Sequence, residues 1–175
     1  GLVFLKKNLF QDAINIFNQA ISHNPNYIDS YNNLGKAYYD LEDLNRAFIF
    51  FKKAYKINNN NSQTLVNIGN FLSLRDKNFY AIKAYKKALS TDPNNIEIYS
   101  NIALAYARSR DFENTNKFYN IAQKNNSVSP SLNLSMAYLY IYKNNFERAW
   151  DFFESRKFTR KFKQKESLLK KTSLA

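Results

Sequence analysis

Tyr31-Asn32-Asn33-Leu34-Gly35-Lys36-Ala37-Tyr38 decides the fold, because its frame returns 34 positions later as Leu65, Asn67, Ile68, Gly69 and Leu72. Gly1, Gly35 and Gly69 are the three glycines of the chain and keep that same interval, while Pro25 and Pro93 lie two intervals apart. Downstream of Gly35 stand Ala47, Phe51 and Ala54, and downstream of Gly69 stand Ala81, Tyr85 and Ala88. Steps of three and four place such residues on one face of a helix. A truncated first copy keeps Phe4, Ala13, Phe17, Ala20 and Pro25. A further copy puts Ala103 at the glycine position, with Tyr99, Ile102, Tyr106, Tyr119 and Ala122, and the last has Met136, Ala137, Tyr140, Ala149 and Phe153.

Each copy reads as two antiparallel helices, with small residues where backbones approach closely and large ones filling the gap to the next copy. The spacing predicts helices over 28–41 and 44–57, 62–75 and 78–91, 96–109 and 112–125, and 130–143 and 146–155, preceded by one near 10–23. Asn24-Pro25-Asn26, Asn58 to Asn61 and Asp92-Pro93-Asn94-Asn95 supply residues that end helices and tolerate left-handed backbone. Three Gly and three Pro in 175 residues leave few of the tight turns a sandwich or barrel needs, and 45% apolar content can bury a core. The expected class is all-α.

These residues resemble the tetratricopeptide repeat, whose 34-residue pattern of a large residue, Leu-Gly, Tyr, then Ala, Phe and Pro is a specific one. The resemblance implies a right-handed α-solenoid of about four and a half repeats over residues 1–155. Its parts would be a partial repeat at 1–27 and repeats at 28–61, 62–95, 96–129 and 130–155, with residues 156–175 a basic helix or connector. Asn59 and Ser127 replace the loop proline and Thr115 replaces an alanine. A chain that opens on Gly1 also reads as a fragment.

The net charge of +12 is unevenly placed, since Arg156–Ala175 carries eight basic residues against Glu166. That distribution argues against nucleic acid as the partner of the repeats. No cysteine is present, which fits a reducing compartment, and the cytoplasm is the default expectation. The longest apolar run, Met136–Tyr142, is far shorter than the roughly 20 residues of a membrane span. The single histidine, His23, falls at a helix end, and Asp40, Glu42, Asp43, Asp111 and Glu113 fall at turns where helix capping accounts for them. No converging acids, metal-ligand spacing or glycine-rich phosphate loop is present, so no catalytic residue, metal or cofactor is expected. Most of the 15 Phe and 13 Tyr fall on packing positions rather than on a base-stacking surface.

In the resembled architecture the first helix of each pair lines a concave groove, and Asn33, Asn67 and Asn101 stand there in register, with Ser135 closing the series. An amide both donates and accepts, so such a column can hydrogen-bond the backbone of an extended peptide. A similar asparagine ladder lines the repeats of O-linked N-acetylglucosamine transferases, which implies the same role here. Lys36, Tyr39, Asn70 and Arg108 are the neighbouring groove candidates. The expected function is a scaffold that binds a protein or peptide segment, and the oligomeric state stays open.

The segment from Asn145 to Arg156 carries the single tryptophan, Trp150. It is similar to the stretch where bacterial arrays of these repeats run into a glycosyltransferase domain, with Ala149 and Phe153 departing from that pattern. That resemblance implies an alternative, the acceptor-recognition portion of a larger glycosyltransferase whose catalytic residues lie elsewhere. Read from the residues alone, the segment is a last helix with Trp150 packed as its cap.

Overall fold

The tight turn inside each repeat uses a residue in left-handed conformation, and this chain makes it without glycine. Glu42, Asp76, Arg110 and Asn144 have φ of 63°, 55°, 62° and 55°, one at the same register of each repeat. Each lies in a three-residue turn between the two helices of a pair. The next residue then stands at the N-cap of the second helix. Asp43 accepts the Arg46 N–H at 3.0 Å, Asp111 that of Asn114 at 3.1 Å, and Asn145 that of Arg148 at 3.1 Å. Each satisfies a donor that the first turn leaves unpaired. Lys77, at the same register, makes no such bond.

The computed structural model describes residues 2–124 and 129–155, and every element among them is an α-helix. The order is α1 (Leu2–His23), α2 (Ile28–Asp40), α3 (Leu44–Ile57), α4 (Ser62–Leu74), α5 (Asn78–Thr91), α6 (Ile96–Arg108), α7 (Phe112–Lys124), α8 (Pro130–Tyr142) and α9 (Phe146–Ser155). Successive helices form the antiparallel pairs of an α-solenoid. The first helix of each pair ends one residue before its predicted limit, because Leu41, Arg75, Ser109 and Lys143 already have ψ between 1° and 14° as the chain enters its turn.

The larger difference is at α1, expected near 10–23 and observed from Leu2. Leu9 occupies the register where Asp43, Asp111 and Asn145 later cap a helix. A leucine side chain accepts no hydrogen bond, and residues 2–9 contain neither Gly nor Pro, so nothing interrupts the helix there. Between repeats the asparagines serve as turn and cap acceptors and not as left-handed residues: Asn24 and Asn58 accept from the N–H of Asn26 and Asn60, Asn61 caps α4 through the Thr64 N–H at 2.8 Å, and the left-handed positions lie instead inside the repeats.

The chain divides into two compact units, Gly1–Asn94 and Asn95–Ala175. In the first, α1 to α4 pack around Ile14, Leu34, Ala37, Ala47, Phe51 and Phe71, and α5 buries Ala81, Ile82, Tyr85 and Ala88. Gly35 and Gly69 are required by close approach: a Cβ on Gly35 would overlap the ring of Phe51, and one on Gly69 the ring of Tyr85. The Tyr31 hydroxyl donates to the Pro25 carbonyl at 3.0 Å, tying α2 to the loop before it. In the second unit, α6 to α9 bury Ala103, Tyr119, Ala122, Leu132, Met136 and Leu139.

Trp150 does not cap that core, being 62% exposed. The inward stripe of α9 is Ala149 and Phe152, and a residue one step from Ala149 is turned about 100° off it. His23 ends α1 exposed to solvent, and among the described residues no group of three His, Cys, Asp or Glu could hold a metal ion. Nor is any described helix long and apolar enough to cross a membrane.

Candidate functional site

The predicted groove residues fall on the first helices of their pairs, and each unit holds its own set. Asn33, Lys36 and Tyr39 lie on α2 and Asn67 and Asn70 on α4 in the first unit; Asn101 and Arg108 lie on α6 in the second. Equal register does not give them equal surroundings. Asn33 and Lys36 are exposed, Tyr39, Asn70 and Arg108 are half-buried, and Asn67 and Asn101 are buried at 8% and 9% exposure.

Hydrogen bonding separates them further. The Asn67 amide is engaged on both sides, donating to Asn32 Oδ1 at 3.4 Å and accepting from Gln63 Nε2 at 3.2 Å. Asn70 Oδ1 accepts a 2.7 Å bond from the Tyr85 hydroxyl, which joins α4 to α5. Asn70 is therefore a strut between the helices of one repeat. Tyr39 packs against the apolar core of the first unit. The side chains of Asn33 and Asn101 have no hydrogen-bond partner among the described residues.

Three residues that the sequence reading passed over belong to this cluster. Asn32, 3% exposed, receives the Asn67 bond but leaves its own Nδ2 without an acceptor, and the buried Ser30 hydroxyl is likewise unpaired. A buried unpaired donor costs about 1–3 kcal/mol, so a well-packed apolar side chain in place of Asn32 would stabilise the fold. Gln63, four residues before Asn67, completes a relay Gln63–Asn67–Asn32 across α4 and α2. Its sequence signal was the i,i+4 spacing, which puts Asp29, Gln63 and Glu97 beside Asn33, Asn67 and Asn101. At 3.4 Å the Asn67–Asn32 bond is near the outer limit for such bonds, and an incoming carbonyl can compete for the Asn67 donor.

A concavity of about 920 Å³ lies at the α2–α3 turn among Gln11, Asp43, Arg46 and Arg75. Two of its charges are committed to each other. Arg46 Nε bonds Asp43 Oδ2 at 2.6 Å and its guanidinium lies 4.3 Å from the Tyr38 ring centre. The Arg46 N–H, and then the Arg46 side chain, hold the Asp43 carboxyl below the usual carboxylate range. In the second unit burial holds the Tyr119 phenol above its usual value, with Tyr140 adding to the effect. Both shifts belong to structural groups.

The family description TPR repeat matches residues 1–42 and 80–109, and the description Tetratricopeptide repeat matches residues 28–61. The uncharacterized protein ycf37 of Pyropia yezoensis is 34% identical over 61 residues, 35% of this chain and 34% of that protein, so the match spans about a third of that relative's length. Among solved structures, MamA superposes with a TM-score of 0.67 at 19% identity, covering 92% of each chain. PilW, described as a widely conserved type IV pilus biogenesis factor, gives 0.75 at 16% identity over 89% of this chain and 72% of its own. YrrB, described as a TPR protein with an unusual peptide-binding site, gives 0.64 at 16% identity over 89% and 80%. At these identities the likeness speaks for the fold alone. Repeat register, paired helices and matched residues agree, and the chain carries tetratricopeptide repeats.

Proposed function

We propose that this chain is a protein-interaction scaffold whose first-helix faces bind an extended peptide segment through backbone hydrogen bonds. The observation that carries the reading is the amide cluster of the first unit. Asn33 offers an exposed, unpaired amide, and the Asn67 donor is held by a single long bond that a peptide carbonyl can replace while Gln63 keeps hold of its acceptor. Asn101 presents an unpaired amide at the same register of α6. The peptide-binding site in the description of YrrB supports the same role for this fold. At about 0.5–1.5 kcal/mol net per hydrogen bond, each amide gives roughly two- to tenfold in affinity with little demand on side-chain identity. Absence of cysteine supports a cytoplasmic setting.

The test selects peptides on the intact chain from a random display library and compares wild type with N33A/N67A/N101A by calorimetry. The reading requires at least about a tenfold loss for the triple variant. Unchanged affinity rejects it.

A second reading makes the array the acceptor-recognition part of a larger glycosyltransferase. What supports it is α9, where Phe146 and Trp150 are 64% and 62% exposed, side chains of the kind a following domain covers. Sequencing the parent reading frame past the codon for Ala175 tests it. A glycosyltransferase domain in frame upholds the reading, and a stop codon ends it.

A further inference from the structure

The side of α4 turned away from Asn67 carries a different surface. At about 100° per residue, Gln63, Asn67 and Asn70 share one side of this helix and Leu65, Ile68 and Leu72 the opposite one. The latter three form the floor of a cleft of about 410 Å³ with Phe48 and Tyr55 of α3 on one wall and Ala84 of α5 on the other. Its walls are almost wholly carbon, and Phe48 at its edge is 39% exposed while stacked on Phe71 at 4.8 Å. Three cations rim it: Lys52 from α3, and Lys83 and Lys87 from α5.

None of those lysines is in an ion pair among the described residues. Lys87 Nζ lies 5.3 Å from the Tyr55 ring centre and Lys83 Nζ 4.4 Å from that of Phe79, so aromatic faces are what the folded chain offers them. The helices α3, α4 and α5 contain no Asp or Glu at all, and from Leu44 to Thr91 nine basic residues face the single acid Asp76. Three of those nine basic residues ring the apolar cleft, and no acid does.

We propose that this cleft is a second docking site, for an acidic amphipathic helix of a partner protein. Leu65, Ile68 and Leu72 form a stripe of about 10 Å that fits apolar side chains at i, i+3, i+4 and i+7 of an incoming helix. Lys83 and Lys87, one turn apart, meet carboxylates spaced by one turn on its flank, and Lys52 meets those on the other flank. The charge distribution excludes two other occupants. The chain's own residues 156–175 are basic, and a second copy brings net +12 against the same lysines. This site is separate from the amide cluster and does not depend on it.

The intact chain is titrated by fluorescence anisotropy with three labelled probes. These are a helix-forming peptide with Leu at i, i+3, i+4 and i+7 flanked by Glu, a scrambled isomer of the same composition, and a short single-stranded RNA. The patterned peptide is expected to bind about tenfold or more tighter than its isomer. K52E/K83E/K87E should weaken it by at least about tenfold, whereas the charge-matched K117E/K124E/K143E in the second unit should not. Ala84→Leu, which fills the cleft without touching a charge, should weaken it too, and circular dichroism checks that each variant folds. N33A/N67A/N101A should bind this peptide as wild type does. Equal binding of the two isomers overturns the proposal, since charge alone then suffices. So does RNA binding that is lost in K52E/K83E/K87E while the patterned peptide shows no preference over its isomer.

Discussion

Gly35→Ala tests the packing logic of the whole array, because two opposed effects of known size meet at one carbon atom. Alanine in place of glycine inside a helix gains about 1 kcal/mol from backbone entropy and propensity. The new Cβ, however, would overlap the Phe51 ring, which is 2% exposed and has no room to swing aside. Overpacking of a close-packed core costs about 1–3 kcal/mol. The net expectation is a loss of about 1 kcal/mol, read as a lowered urea midpoint and a melting temperature reduced by ~2–4 °C. The chain supplies its own control at Ala103, where the facing ring, Tyr119, is more exposed at 9%. There a Cβ is accommodated, so Ala103→Gly should destabilise by about 1 kcal/mol with no clash to relieve. Relief of the overlap should also appear in G35A/F51L, less destabilised than the sum of its single changes. If Gly35→Ala gained about 1 kcal/mol, the propensity benefit undiminished, the argument from ring contact would be refuted.

Other changes probe the caps and the buried amides. Lys77→Asp restores the acceptor that three sister repeats carry and should stabilise by about 1 kcal/mol in chemical denaturation. Asn32→Val, the residue one repeat later at Val66, removes an orphaned donor at the expense of one long hydrogen bond. The melting temperature should hold or rise, the gain being up to about 1 kcal/mol. Because the Asp43 carboxyl is depressed in the folded chain, its contribution is whole above the unfolded value of about 3.9 and is lost as pH falls through the lower folded value. Asp43→Asn, which keeps an acceptor without the charge, should therefore be less stable than wild type in urea at pH 7, with the gap closing in strong acid.

The fold was legible because close packing in a repeat forces small and large residues into a fixed register: Gly35 against Phe51 recurs as Gly69 against Tyr85. Turn chemistry was legible in the asparagines, which act locally and need no tertiary knowledge. The length of α1 was not, because a periodic frame implies a turn near Asn8 that Leu9 gives the chain no means to make. At the candidate site, register identified the helix face and missed the partners. Asn67 and Asn33 share a register, yet one is buried against Asn32 and the other open to solvent, a difference set by which helix packs alongside. The lysine-rimmed cleft escaped notice because Lys52 and Lys83 come from different repeats, and net charge averaged over the chain hides a local excess.

Glu42, Asp76, Arg110 and Asn144 share one left-handed backbone geometry but not one steric cost. Short Asp and Asn side chains bond locally and tolerate that geometry, whereas longer Glu and Arg are held there against a steeper penalty. In a nearest-neighbour array such a penalty stays with the repeat that carries it. The hairpins closed by Glu42 and Arg110 therefore store more tension than those closed by Asp76 and Asn144. Local opening is therefore expected to start more readily at the turns of Glu42 and Arg110 than at those of Asp76 and Asn144.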